Sequence, residues 1–223
     1  MSVKSENNKR IAKNTFLLYF RMLFTMGVSL YTSRVVLNTL GVEDFGIYNV
    51  VGGVVVMFSF LNSSLATATQ RFLNYEMGQG NALKLEKVFS IALTGHYLIA
   101  LSVILLAETI GLWFVSTQLE IPAERMHAAL WVYQFSILTL AVSIISVPYN
   151  AVIIAHERMK VFAYVSIAEV SLKLTVVFLL VYLSFDKLVL YAFLLLVVAV
   201  IVRMIYALSL IHISEPTRRR GIS

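Results

Sequence analysis

The sequence predicts an all-α, polytopic membrane protein, a bundle of six transmembrane helices, and three observations carry that prediction. Of 223 residues, 59% are hydrophobic and 13% are charged, against roughly 45–50% and about 25% in soluble domains. Apolar stretches of about 20 residues, long enough to cross a bilayer as helix, recur along the chain. The mean hydropathy of the whole chain is +0.83. Three prolines and ten glycines are too few for a collagen-like or disordered chain. A soluble globular enzyme is excluded, and the lack of cysteine excludes thiolate metal sites, a cysteine nucleophile and disulfides.

Residues 1–14 form a basic N-terminus with Lys4, Lys9, Arg10 and Lys13. Hydropathy then places the bundle at 15–207, with spans at about 15–36, 45–68, 88–112, 127–152, 161–184 and 187–207. The first span is not a signal peptide, because its apolar stretch is too long, contains Arg21 and precedes no small-residue cleavage site. Arg71, Lys84, Lys87, Arg158 and Lys160 fall in the even-numbered connections, whereas the opposite ones hold only Arg125 and Lys187, with Arg34 near a span end. The excess of positive charge places the N-terminus in the cytoplasm and the 38–44, 113–126 and 184–187 connections outside. Segments 66–87 and 153–162 read as helix ends or amphipathic stretches on the cytoplasmic surface.

The hydrophobic pattern stops at Ala207. Residues 208–218 are what the end of a common transposon-based sequencing adapter encodes when read in frame, and 219–223 fit its continuation. The expectation is that 208–223 is a non-native tail, that the native protein continues beyond Ala207, and that the chain is a fragment. Leaving out Glu215, Arg218, Arg219 and Arg220 lowers the net charge from +6 to +4. The remaining positive charge flanks apolar segments, as an inside-positive bias requires, so no nucleic-acid partner is expected.

Polar residues inside a span tend to face other helices or a water-filled cavity. In the first span Arg21, Thr25, Ser29 and Thr32 step by 4, 4 and 3, which keeps them on one helix face. Ser59, Ser63, Thr67 and Gln70, with Asn62 adjacent, do so in the second. Ser136, Thr139, Ser143, Ser146 and Asn150, with Pro148 in the stripe, do so in the fourth. The fifth offers Ser166, Glu169 and Lys173, while the sixth, from Leu188 to Val202, has only Tyr191. Such stripes serve close helix contacts or a cavity, and four of them in one bundle predict a shared polar lumen. The sixth helix is expected to face lipid or pack on its neighbours.

Arg21 lies about seven residues into its span, roughly 10 Å at 1.5 Å per residue, deep enough that a lumen role is favoured over an interhelical salt bridge or snorkelling. Glu169 and Lys173, spaced i,i+4, are expected to pair on one helix face, and Glu169 is the candidate for ion coupling. Catalytic motifs are missing: there is no GxxxxGK[ST] and no strand-linked GxGxxG. His156-Glu157 lacks the second histidine of a zinc-protease motif. His96 and His127 have no ligand partners at metal spacing, and Asn62-Ser63-Ser64 falls inside a span and is no glycosylation acceptor. No cofactor and no metal is expected, and the chain reads as a transporter rather than an enzyme.

Ser33-Arg34, then Leu40-Gly41-Val42-Glu43-Asp44-Phe45-Gly46-Ile47-Tyr48, then Ala68-Thr69-Gln70-Arg71-Phe72, and later Pro148 with Ala155-His156-Glu157-Arg158, together give the chain a family likeness. Over nearly all of residues 10–207 it resembles bacterial O-antigen and polysaccharide flippases of the multidrug/oligosaccharidyl-lipid/polysaccharide exporter superfamily. The resemblance implies a protein of about twelve to fourteen helices in two bundles that rock in alternating access, this chain being the N-terminal lobe. It implies transport of undecaprenyl-pyrophosphate-linked repeat units across the bacterial inner membrane, with membrane lipids, polysaccharide polymerase and glycosyltransferases as partners. Arg21, Arg71 and Lys173 are then headgroup candidates, because pyrophosphate entering a low-dielectric path needs cationic partners. Thr25, Ser29, Asn62 and Gln70 are candidate sugar contacts, and Arg34 is carried over on its motif alone.

Two other readings remain open. A drug or small-cation antiporter of the same superfamily would favour acidic and aromatic lumen residues. A membrane-embedded glycosyl- or acyltransferase of polysaccharide assembly would need a base, for which Glu108 and Glu120 are the only candidates.

Overall fold

The computed structural model describes the backbone of residues 3–183 and 185–219 and the side chains of residues 12–59, 64–81, 83–183 and 185–210. Among the described residues it is helical apart from short connections, with no strand. The helices are α1 (Val3–Val56), α2 (Phe60–Gly78), α3 (Ala82–Leu106), α4 (Leu112–Thr117), α5 (Ala123–Ala155), α6 (Met159–Tyr182) and α7 (Lys187–Arg219). A 3-10 turn, Met57–Ser59, joins α1 to α2, and a π-helical segment, Ala107–Gly111, joins α3 to α4. Five helical runs are long and apolar enough to cross a membrane: Ala12–Gly78, Leu83–Thr117, Ala123–Ala155, Met159–Tyr182 and Lys187–Leu210.

The first run, 67 residues long, would extend about 100 Å if straight, over three times the hydrocarbon thickness of a bilayer. It does not run straight. Gly41, with φ 81° and ψ 171°, lies outside helical geometry, in a region that glycine enters without a Cβ clash. Before Gly41 the chain follows α6 in parallel: Arg21 meets Ser166, and Ser29 and Thr32 share a cavity with Lys173. After Gly41 it follows α7: Tyr48 packs edge-on to Tyr191, with ring centroids 4.9 Å apart, and Ala66 shares a cavity with Tyr206. Tyr206 in turn lies near Ser166 and Arg21. Arg21, 20 positions before Gly41, and Ala66, 25 positions after it, therefore reach similar depths, and the chain doubles back at this glycine.

At the end of the bundle nearest Gly41, one guanidinium joins three helices. Arg125, in the first turn of α5, donates from Nε to Asp44 Oδ1 at 2.8 Å and from a terminal nitrogen to Asp44 Oδ2. Its other terminal nitrogen reaches Asp186 Oδ2 at 2.8 Å. Asp186 also caps α7, its Oδ1 accepting from the backbone N–H groups of Leu188 and Val189 at 3.1 and 3.3 Å. At the far end, Leu73 of α2 and Ala151 and Val152 of α5 are buried together, with Phe89 of α3 and Leu210 of α7 packed on them.

Helix α5 is central and packs against every other helix. Its buried face mixes small Ala128, Ala129, Ala141 and Ala151 with Val132, Ile137 and Ile144, and the small residues let neighbouring backbones come close. The outside of the bundle is apolar. Tyr19, Leu23, Met26 and Leu30 on α1 and Ile91, Leu98, Leu101 and Leu105 on α3 are all exposed, at steps of three, four or seven that mark one helix face. A surface this apolar suits lipid and not water.

The π segment has an identifiable cause. The Leu112 N–H bonds back to the Ala107 carbonyl, and the same carbonyl accepts from the fully buried Tyr133 hydroxyl at 2.7 Å. A Cβ on Gly111 would overlap that hydroxyl oxygen and lie 3.3 Å from the ring carbon bearing it. Gly111→Ala is therefore expected to destabilise the fold by about 1–3 kcal/mol through overpacking, read as a lower thermal midpoint in detergent. Adding Tyr133→Phe should recover part of that loss, since it removes the overlapped atom. At the Gly41 end, Arg125→Ala should cost about 1.5–3 kcal/mol, as expected for losing hydrogen bonds between charged groups. Arg125→Lys should restore less than half, because an ammonium cannot reproduce the fork, and urea titration in detergent would measure both.

Candidate functional site

The polar stripes of α1, α5 and α6 converge on a row of three cavities. The first, about 510 Å³, is lined by Ser59, Ser143, Ser146, Asn150, Glu169 and Tyr206 among others. The second, about 430 Å³, shares Ser59 and Ser143 with the first and adds Tyr48, Asn49, Ser136 and Thr139. The third, about 200 Å³, shares Tyr48 and Asn49 with the second and adds Ser29, Thr32, Ser33 and Lys173. Neighbouring cavities in the row share lining residues, and together they form a groove of mixed polar and apolar lining. Helix α7 forms one wall with Tyr191, Ala192, Ala199 and Tyr206, so the sixth apolar stretch of the sequence packs on its neighbours and takes part in the groove as well.

The hydrogen bonding of the lining sets its chemistry. Ser59 donates to the Val56 carbonyl at 2.7 Å, Thr139 to Phe135 at 2.7 Å and Ser146 to Val142 at 2.6 Å. With their protons used on their own helices, these hydroxyls offer the groove acceptor lone pairs. Asn150 Oδ1 is buried without a partner, and Glu169 adds a carboxylate. A groove rich in acceptors calls for a ligand rich in donors.

Glu169 and Lys173 are paired as their spacing predicts, Nζ to Oε1 at 2.6 Å. Glu169 faces the first cavity and Lys173 the third, so the pair bridges the groove wall and leaves no net charge there. Arg21 is half-buried, with one terminal nitrogen 3.4 Å from Ser166 Oγ and its guanidinium 4.5 Å from the Phe162 ring centroid. Its Nε and the hydroxyls of Thr25 and Thr32 are buried without partners.

Of the residues singled out by sequence, Ser29, Glu169 and Lys173 line the cavities, Arg21 lies near Tyr206 of the first, and Thr25 lines none of the three. Arg34 and Arg71 are exposed and Gln70 half-buried, and none of the three lines any of the three cavities. The side chain of Asn62 lies outside the described residues. Glu108 accepts a hydrogen bond from Gln134 at 3.1 Å, a structural tie between the π segment and α5. Among the described residues no group of three His, Asp or Glu side chains is placed to hold a metal ion.

Sequence alone gave no role to three features. The Arg125 tie joins Asp44 and Asp186, which are 142 positions apart, and no local spacing signals it. The π segment depends on a tyrosine 26 positions away. Arg203 lies one residue beyond the stretch from Leu188 to Val202, and its guanidinium sits 3.7 Å over the Tyr149 ring. A charge that deep in an apolar run was the available signal. Comparison of the chain with models of protein families, with curated proteins and with solved structures finds no match in any of the three.

The bridging pair yields a direct test. Glu169→Lys and Lys173→Glu, made singly, should each place like charges on one helix face and lower the thermal midpoint. The double swap should recover stability, with a coupling of about 1 kcal/mol or more in a double-mutant cycle. A double variant no better than the worse single variant would refute the pairing.

Proposed function

We propose that the chain is one bundle of a lipid-linked oligosaccharide flippase, moving undecaprenyl-pyrophosphate-linked repeat units across the bacterial inner membrane by alternating access. The observation that carries this reading is the row of neighbouring cavities with Ser, Thr, Asn and Glu side chains in their lining, within a bundle whose outside is apolar. Sugar hydroxyls and acetamido N–H groups are donors in number, and the Ser, Thr, Asn and Glu side chains of the groove would receive them. A glycan crossing lipid without such partners would lose its hydration uncompensated. The resemblance of residues 40–48 and 68–72 to the flippase family supports the same reading.

In this proposal the bundle has six spans, the chain reversal at Gly41 dividing the first helical run in two. The N-terminus and the Leu73 end face the cytoplasm, and the Arg125 tie faces outward. A second bundle supplies the other wall of the groove, and the two rock about it. Arg21 contacts the pyrophosphate, while Lys173 is neutralised by Glu169 and serves to poise that carboxylate for ion coupling. The antiporter reading is less favoured, because the groove's one carboxylate is already paired with an internal cation. The transferase reading is less favoured because Glu108 is held by Gln134.

Arg21→Ala, introduced into the complete two-bundle gene and expressed in a bacterium lacking its own O-antigen flippase, should cut surface polysaccharide at least tenfold with membrane abundance unchanged. Immunoblotting of surface polysaccharide measures it. Normal export at equal abundance would overturn the role of Arg21, and failure of the unsubstituted gene to restore export would overturn the flippase reading.

A further inference from the structure

We propose that a cleft between α5 and α7, at the Arg125 end of the bundle, binds a phospholipid with a primary ammonium headgroup, phosphatidylethanolamine. The inference goes beyond the flippase reading and does not depend on it. The cleft encloses about 470 Å³, within the roughly 300–1,000 Å³ of small-ligand sites, and shares no lining residue with the three cavities of the groove. Aromatic rings build it. His127, Trp131 and Phe135 follow one another along α5 at steps of four, which brings them to one side of the helix. Trp131 stacks on Phe135 with centroids 5.6 Å apart, and Phe135 meets the Phe193 ring of α7 edge-on at 5.5 Å. Phe185, just before α7, and Val189 and Leu190 within it complete the wall. Trp131, Phe185 and Phe193 are exposed, so these rings are open to what surrounds the bundle.

The lining changes character with depth. Glu124, Arg125 and Asp186 stand at the end of the bundle, and Phe135 lies about 16 Å further along α5 than Glu124, at 1.5 Å per residue. A charged mouth that runs into an aromatic and aliphatic interior follows the profile of one phospholipid from headgroup to chain. Past the cleft, Leu138 of α5 and Ile201 of α7 continue the exposed apolar surface, on which the rest of the chains would lie. Charge then selects the headgroup. Arg125 commits Nε and both terminal nitrogens to Asp44 and Asp186, so it has no fork to offer an anion, and the two carboxylates outweigh it. Glu124 adds a third carboxylate and, among the described residues, has no hydrogen-bond or ion-pair partner. Lys187 does not line the cleft. A free carboxylate beside exposed aromatic rings attracts an ammonium group. A primary ammonium brings three N–H donors, whereas the choline headgroup has none and phosphatidylglycerol brings only negative charge.

The full 223-residue chain, reconstituted in phosphatidylcholine nanodiscs, tests the site through its two tryptophans, Trp113 and Trp131. Trp113→Phe leaves Trp131 to report on the cleft, and Trp131→Phe leaves Trp113, exposed on α4, to report on lipid elsewhere. Fluorescence quenching by small amounts of dibrominated phosphatidylethanolamine, phosphatidylcholine or phosphatidylglycerol gives the relative affinity of each lipid at each position. At Trp131 phosphatidylethanolamine is expected to be preferred about threefold over either of the others, the scale of an exposed ion pair, and less so at high salt. At Trp113 no preference is expected. Glu124→Gln should abolish the preference at Trp131, and Glu124→Asp should keep at least half of it. A carboxylate in the first turn of α5 also suits the helix dipole, but that role alone would lower the thermal midpoint of Glu124→Gln and leave the lipid preference intact. Equal quenching by the three lipids at Trp131, or a preference unchanged in Glu124→Gln, would overturn the inference. So would the absence of quenching at Trp131 by any of them, which would mean that a second copy of the chain covers the cleft.

Discussion

The contact of Arg125 with Asp44 and Asp186 fixes the register on which the remaining geometry depends. Helices in a membrane gain little from burying apolar surface against one another, since lipid is as apolar as leucine. Sliding one helix by a turn therefore costs less than it would in a water-soluble core. Arg125 opposes that sliding where the chain has just reversed at Gly41, where α5 begins and where Asp186 caps α7. With the starts of these three segments held level, Tyr48 meets Tyr191, and Ser59 and Ser143 line the same cavities. The packing of Leu73, Ala151 and Val152 at the other end then follows from helix length.

Holding the register creates a groove whose polarity is inexpensive in one sense and demanding in another. Ser59, Thr139 and Ser146 satisfy their hydroxyl protons on their own helices and so cost the apolar bundle little. The Glu169–Lys173 pair cancels its own charge within one turn of α6. Thr25, Thr32, Asn150 and the Nε of Arg21 are not satisfied within the bundle, and buried polar atoms without partners are uncommon in native structures. Of these, Thr32 and Asn150 line the groove, where a polar ligand would complete them.

The π segment and Tyr133 show how the bundle accommodates an irregular backbone at membrane depth. Such a backbone is tolerated in a bilayer only where other groups re-satisfy it. Here the Ala107 carbonyl serves both the Leu112 N–H and the Tyr133 hydroxyl, and Gly111 leaves space for that hydroxyl. A tie between α3 and α5 results, supplemented by Gln134 and Glu108, on the side of α5 that builds the main buried cluster.

Composition and periodicity by themselves determined that this chain is all-helical with several membrane-length apolar runs, because a bilayer requires long apolar segments with internally satisfied backbones and so writes its demands into local sequence. They also determined the polar stripes of α1 and α5 and the pairing of Glu169 with Lys173, since residues three or four apart must share a helix face. What only the tertiary structure decided is which stripes meet. Arg34, Arg71 and Gln70 carry the right chemistry yet stand away from the groove, because rotation of each helix about its axis is fixed by neighbours and not by its own sequence. Arg203 comes to lie over the Tyr149 ring, and Arg125 joins Asp44 to Asp186, through contacts between residues far apart in the chain, to which a local pattern is blind.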